Sequence, residues 1–249
     1  MDEESNLKKR FLELADRAYN GNRYYFTNFL SMSEISLLHS LGSQIGNKNY
    51  MLFGGMEDCE RCVARFGNKE EIGFEEDFPI HCVKIEPLMQ KYADTFTHRD
   101  ILGSVMGLGI ERSNIGDIII SGNCGFLFCL ERMSGYIIDS LGQVKHTHVK
   151  CALTDQIPEH ALQGQEMSVQ VHTERIDALI SKLYALSRSA SIELFRGKKV
   201  FVNARQCENN SYQLKVGDIV SVRGYGRFRF EGVLKTTRKG NLNVRIVRY

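Results

Sequence analysis

From Arg175 to Leu186 the apolar positions Ile176, Leu179, Ile180, Leu183 and Leu186 fall on one face of a helix. Ser187-Arg188-Ser189 then offers a hydroxyl cap for a second short helix bearing Ala190, Leu194 and Phe195, and Gly197 ends it. There the period changes. Val200-Phe201-Val202-Asn203 reads as a short strand, and after a polar loop Val216-Gly217-Asp218 turns into a second strand from Ile219 to Arg223. Gly224-Tyr225-Gly226-Arg227 closes the unit. Beyond Arg229, Val233 and Leu234 on one side and Leu242, Val244, Ile246 and Val247 on the other predict a hairpin with a basic turn at Arg238-Lys239-Gly240.

Upstream, Leu7, Phe11, Leu14, Ala15 and Ala18 share one helical face, and Asn20-Gly21-Asn22 stops that helix. Tyr24-Tyr25-Phe26 and Phe29-Leu30 supply aromatic mass for a core. A second helix starts at Ser33-Glu34 and runs through Ile35, Leu37, Leu38 and Leu41. Tyr50 to Phe53 is a strand entering the tight turn Gly54-Gly55, and an acidic surface loop occupies 67–78. An ordered pattern follows: strand His81–Glu86, helix His98–Leu108, strand Ile115–Ser121, turn Gly122-Asn123, strand Gly125–Leu130, helix Arg132–Leu141 and strand Thr147–Leu153. This β-α-β-β-α-β order is the split βαβ arrangement. Gly103 and Gly107, four apart on the first of these helices, suit a close approach to a neighbouring backbone. Phe126 and Phe128 share one strand face and suit either base stacking or a core. The fold class is therefore α+β, with an N-terminal α/β subdomain at 1–78 and a split βαβ middle domain at 79–157. A linker at 158–172, with an extra strand near Ser168–His172, leads to a C-terminal domain at 173–249.

Composition narrows the class. The 249 residues are 43% hydrophobic and 25% charged, as expected of a chain with a sizeable core. No apolar run reaches the roughly 18–20 residues of a membrane helix, and MDEESNLKKRF lacks an apolar leader, so a cytoplasmic location is expected. Seven irregularly spaced cysteines point to reduced thiols. Cys59-x-x-Cys62 has the spacing of half a zinc site but no second pair, and His146-Thr147-His148 lacks a third ligand, so neither metal nor cofactor is expected. Charge changes the picture most. From Arg175 onward there are 16 Lys and Arg against 5 Asp and Glu, a net of +11, whereas residues 1–174 carry −9. A basic module joined to an acidic one points to a polyanionic partner, foremost nucleic acid.

The C-terminal pattern resembles the S-four-type (alpha-L) RNA-binding domain. The matching residues are Arg175-x-Asp177, Ser187-Arg188-Ser189-Ala190, Val200-x-Val202-Asn203, Gly217-Asp218 and Val222-Arg223-Gly224. The resemblance implies that two helices and their adjoining loop present basic residues to structured RNA. Candidate RNA contacts are Arg175, Ser187, Arg188, Ser189, Lys198, Lys199, Asn203, Arg223, Arg227 and Arg229. Asp177 and Asp218 are expected to hold the fold by capping or pairing. The RRM-like middle domain contains His98-Arg99-Asp100-Ile101-Leu102-Gly103-Ser104-Val105-Met106-Gly107-Leu108-Gly109-Ile110, then Arg112 and Ile115-Gly116-Asp117-Ile118. With Phe53-Gly54-Gly55 upstream, this segment is similar to the signature of the YlmH family. His98, Arg99 and Arg112 suit either phosphate contact or surface pairing with Asp100 or Glu111.

What the family resemblance implies is a non-catalytic, monomeric RNA-binding factor. Its partners would be the large ribosomal subunit, through ribosomal RNA, and tRNA or peptidyl-tRNA, in quality control of stalled nascent chains. A connection to cell division attached to the family is read as indirect. The alternative is an RNA-modifying enzyme accessory or a pseudouridine-synthase-like protein. That chemistry needs an aspartate in an Arg-Leu-Asp-type loop of a much larger catalytic domain, whereas Arg175-Ile176-Asp177 lies at the first helix of the basic unit itself. No glycine-rich cofactor loop and no nucleophile–base pair stands out.

Overall fold

The computed structural model describes residues 3–45, 49–158, 164–237 and 240–249. The chain divides into two compact units, Met1–Ala161 and Leu162–Tyr249.

The first unit opens with α1 (Glu3–Gly21), β1 (Tyr25–Leu30), α2 (Met32–Ser40), α3 (Gly42–Ile45), β2 (Tyr50–Phe53), β3 (Cys62–Phe66) and α4 (Lys69–Ile72). The predicted apolar face of α1 buries Phe11, Ala15 and Ala18, and Phe11 meets Phe66 with ring centroids 6.4 Å apart. A capping box starts α2: the Ser31 hydroxyl accepts from the Glu34 amide, and the Glu34 carboxylate accepts from the Ser31 amide at 2.7 Å. The strands form an antiparallel sheet in the order β1-β3-β2. Its central strand escapes the polarity pattern because Arg65 stands in the middle of it. That side chain is buried, donating to the Glu76 carbonyl and pairing with Glu75 at 2.8 Å.

The same unit continues with β4 (Ile80–Pro87), α5 (His98–Gly107), β5 (Ile115–Ser121), β6 (Cys124–Leu130), α6 (Glu131–Ser140), β7 (Gln143–Val144) and β8 (Thr147–Leu153). The sheet order β5-β6-β4-β8-β7 is that of a split βαβ fold with one added short strand. One sheet face is covered by Ile101 and Val105 of α5 and Ile137 of α6, which pack on Val83, Ile85, Leu127 and Cys129. The other face is covered over β5 and β6, whereas Lys84, Glu86 and Lys150 reach solvent from β4 and β8. Phe128 and Leu130 pack with Phe29 and Val63 of the three-stranded sheet. Phe128 is 1% exposed and Phe126 4%, so both are core and neither offers a ring for stacking a base.

Two glycines make that contact possible. A Cβ at Gly55, which has φ +103°, would stand 2.2 Å from the Phe128 ring, and one at Gly116 would stand 2.6 Å from Phe29. The helical pair Gly103 and Gly107 behaves otherwise. A Cβ at either would meet nothing within 4 Å, so the expected close backbone approach does not occur. No helix among the described residues is long and apolar enough to cross a membrane.

The second unit contains β9 (Gln165–Val171), α7 (Ile176–Leu183), α8 (Arg188–Arg196), β10 (Val200–Val202), β11 (Arg205–Gln206), β12 (Ile219–Val222), β13 (Gly226–Thr236) and β14 (Leu242–Arg248). Its six strands lie in the order β11-β10-β12-β13-β14-β9. The segment Gln165–Val171 pairs along its whole length with β14. Ile176, Leu179 and Ile180 of α7 and Leu194 and Phe195 of α8 share a core with Val200, Val220, Phe228 and Ile246. The predicted C-terminal hairpin is β13–β14. Of its basic turn, Arg238 and Lys239 lie outside the described residues.

Candidate nucleic-acid interface

The basic unit builds its surface from helix ends. Arg175 is the N-cap of α7 and holds Asp177 through two hydrogen bonds, Nε to Oδ1 at 3.0 Å and an η nitrogen to Oδ2 at 2.7 Å. Asp177 is 5% exposed and also accepts from the Asn210 amide. The pair fixes the guanidinium at the mouth of the helix. After Leu183 the chain turns through Tyr184 and Ala185, the latter at φ +51°. Ser187 then caps α8, its hydroxyl accepting from the Ala190 amide at 3.1 Å and lying 3.0 Å from the Ser189 hydroxyl. Arg188, the first residue of α8, is exposed.

A concavity of about 600 Å³ lies beside α7, its wall made by the small residues Ala178, Ser181 and Ala185. Arg175, Lys182 and Arg188 line it too, so three cations surround one hollow. Lys182 was not singled out by the sequence motif. Its signal was its place one turn after Ala178 on the same helix face.

A second group of cations gathers at the far end of α8. Gly197 closes that helix at φ −78°, an ordinary right-handed value, and the left-handed position falls on Lys198 at φ +54°. The Arg223 amide donates to the Lys199 carbonyl at 2.9 Å, which brings these exposed residues side by side. The Arg223 guanidinium lies 5.8 Å from the centroid of Phe201.

Other candidates have work inside the fold. The Asn203 amide nitrogen donates to Asp218 at 2.8 Å, and its oxygen accepts from the Ile219 amide at 2.9 Å. Both polar ends of Asn203 are thus used in fixing its turn. Asp218 is 6% exposed and also accepts from the Lys215 amide at 2.8 Å. Asp218→Ala leaves several donors facing a gap, and we expect it to cost the second unit about 2–3 kcal/mol, read from its thermal transition. Arg229 pairs with Glu231 at 2.6 Å, which offsets its charge.

In the first unit His98 and Arg99 are exposed at the start of α5, behind a Thr97–Asp100 capping box. Although the residue as a whole is exposed, the His98 imidazole is crowded by neighbouring atoms. That desolvation, followed by the charge of Arg112, holds its pKa below the ordinary value. Arg112 faces inward. It donates to the carbonyls of Ile115 at 2.5 Å and Gly116 at 3.1 Å. A register irregularity between Ile115 and Ile118 disturbs the ladder at these carbonyls. Arg61 completes the latch, donating to Ile115 at 3.0 Å and to the Phe29 carbonyl at 3.0 Å. Burial, with Arg61 next, pushes the Arg112 pKa down to about 10, which still leaves it charged at neutral pH. Asp117 accepts from the backbone amides of Glu60 and Arg61.

Among the described residues no three His, Cys, Asp or Glu side chains come together as a metal site. Burial pushes the thiols of Cys82 and Cys129 up to about 12, so they are poor nucleophiles at neutral pH.

Two cation groups on helix ends, in a stretch (175–249) of net charge +11, define an RNA-binding module joined to an α/β platform whose second face is covered over β5 and β6. Family comparison agrees with that class. Residues 174–220 match the S4 domain, and residues 74–156 match the putative RNA-binding domain in YlmH. The two matched domains, in this order, are those that the resemblance to the YlmH family implied. It is 28% identical over 229 residues to the ribosome-associated protein quality control protein P2 of Bacillus subtilis (strain 168), across 89% of this chain and 86% of that protein. The solved structure of the cell division protein ylmH from Streptococcus pneumoniae is 20% identical. It covers 62% of this chain and 92% of its own, at a TM-score of 0.49.

Proposed function

We propose that the protein is a non-catalytic RNA-binding factor of the ribosome that engages large-subunit RNA and tRNA during quality control of stalled nascent chains. The observation that carries the reading is the convergence of Arg175, Lys182 and Arg188 on one hollow in the S4-type unit. Lysine and arginine so placed neutralise phosphates and release counterions. The name of the Bacillus subtilis relative, which aligns over most of both chains, supports the ribosomal setting. A modification enzyme is less well supported. Asp177, the aspartate of the Arg-x-Asp sequence, is buried and held by two bonds from Arg175, which leaves it poorly placed as a catalytic group. Candidate contacts on this reading are Arg175, Lys182, Arg188, Lys198, Lys199, Arg223 and Arg227, with Ser187 and Ser189 shaping the α8 start.

Sedimentation of cell lysate through sucrose at low and high salt tests the proposal, with sequencing of RNA crosslinked to the protein. We expect comigration with large subunits, lost as salt rises, and crosslinks to large-subunit RNA and tRNA. Protein at the top of the gradient at low salt, crosslinked to a scattered RNA class, would overturn it.

A further inference from the structure

Beyond the residues matched by the S4 domain, the chain returns to the same unit and builds an aromatic patch. Tyr184 caps the C-terminus of α7, and Tyr225 stands in the turn between β12 and β13. Their ring centroids are 5.4 Å apart and their planes inclined by 51°. Tyr225 remains 40% exposed. The turn depends on glycine at both sides, Gly224 at φ +90° and Gly226 at φ +112°. A Cβ at Gly226 would stand 4.0 Å from the Tyr184 hydroxyl and 3.9 Å from the Tyr249 main-chain oxygen, so Tyr184, Tyr225 and Tyr249 gather at this turn.

Arginines interleave with the rings. The Arg248 guanidinium lies 5.5 Å from the Tyr184 centroid, and that of Arg227 lies 4.6 Å from Tyr249. Among the described residues neither Arg227 nor Arg248 is in an ion pair. Arg223, two residues before Tyr225, connects the patch to the cations at the end of α8. An exposed tyrosine could serve a protein partner, but one whose neighbouring rings carry arginines, in a stretch (175–249) of net charge +11, suits an anionic chain that also carries flat π-faces.

We propose that the Tyr184–Tyr225 pair is a stacking site for one unpaired base of the RNA, with Arg227 and Arg248 holding the flanking phosphates. The proposal rests on the RNA-binding reading above and deepens it. The helix-end cations contact the backbone and do not select sequence or pairing. A base within a duplex has both faces covered by its neighbours, whereas a bulged or looped base can turn out onto Tyr225. The site would therefore select RNA with an unpaired nucleotide beside a helix.

The test uses the full chain and two synthetic hairpin RNAs with the same stem, one of them carrying a single unpaired 2-aminopurine nucleotide. Wild-type protein should bind the bulged hairpin roughly tenfold more tightly, the size expected for one base stacked on an aromatic ring, and should change the probe's fluorescence. Tyr225→Ala should remove both the preference and the fluorescence change while keeping the affinity for the paired hairpin. Tyr225→Phe should retain all three. Equal wild-type affinity for the two hairpins, or a preference that survives in Tyr225→Ala, overturns the stacking site and leaves the RNA reading standing. Wild-type protein that binds neither hairpin overturns both. Should Tyr225→Ala unfold the unit, wild-type protein decides alone: binding without a fluorescence change overturns the site.

Discussion

Reversing charge at Arg188 and Arg223 together should lower affinity for structured RNA about a hundredfold at physiological salt. Each arginine is exposed and each belongs to a different cation group, Arg188 at the hollow beside α7 and Arg223 beside Lys199. Taking two phosphate-neutralising cations out of an interface reduces the slope of log affinity against log salt by about two, and the introduced carboxylates add repulsion. The thermal transition of the second unit should move little, because both side chains lie at the surface, although Arg223 gives up its place over the Phe201 ring. A titration across salt concentrations checks both numbers. Unchanged affinity with an unchanged slope would remove these residues from the interface.

Phe128→Ala should have the opposite profile. Phe128 is 1% exposed, its ring leaves no room for a Cβ at Gly55, and it joins the two sheets of the first unit. Removing the ring leaves a cavity, and the expected loss is about 3–5 kcal/mol. For a unit of this size that is a fall of roughly 10 °C in its transition, measurable by calorimetry on the whole chain. RNA affinity measured below the transition should stay within about twofold, as a core role requires. A large loss of RNA binding by a protein still folded would mean that the ring contacts RNA.

The two predictions mark where the sequence could be read and where it could not. Helices α7 and α8 were legible because each level of signal agreed: Ile176, Leu179 and Ile180 at helical spacing, and a serine cap at the next start. The split βαβ order was legible for the same reason. The role of Phe128 was not, because a ring on one strand face looks the same whether solvent or another sheet lies opposite. What decides it is β1 and β3, which meet Phe128 through Phe29 and Val63, far away in sequence. Arg112 misled for a related reason, and Arg61 and Arg65 behave as it does. A charged residue is read as surface, yet these three place their guanidinium groups on backbone carbonyls. Within the basic unit the motif named the helix-end cations but gave Asn203 the same standing, although both its polar ends are engaged in its turn. Tyr184, Tyr225, Arg248 and Tyr249 were missed because their partnership spans the length of the unit, and only the glycines either side of Tyr225 hinted at it.

The covered part of the second face of the five-stranded sheet also bears on where the chain can be cut. A split βαβ unit that reads RNA across its open sheet can be moved between proteins, since solvent is its natural neighbour. Here the part of that surface on β5 and β6 is taken up by a companion sheet. Leu130, Ile119, Ile80 and Met133 lie in the seam with Phe29 and Val63, and Arg61 ties one side to the other through carbonyls of both. Cutting the chain between the two sheets would bare that apolar seam on both sides.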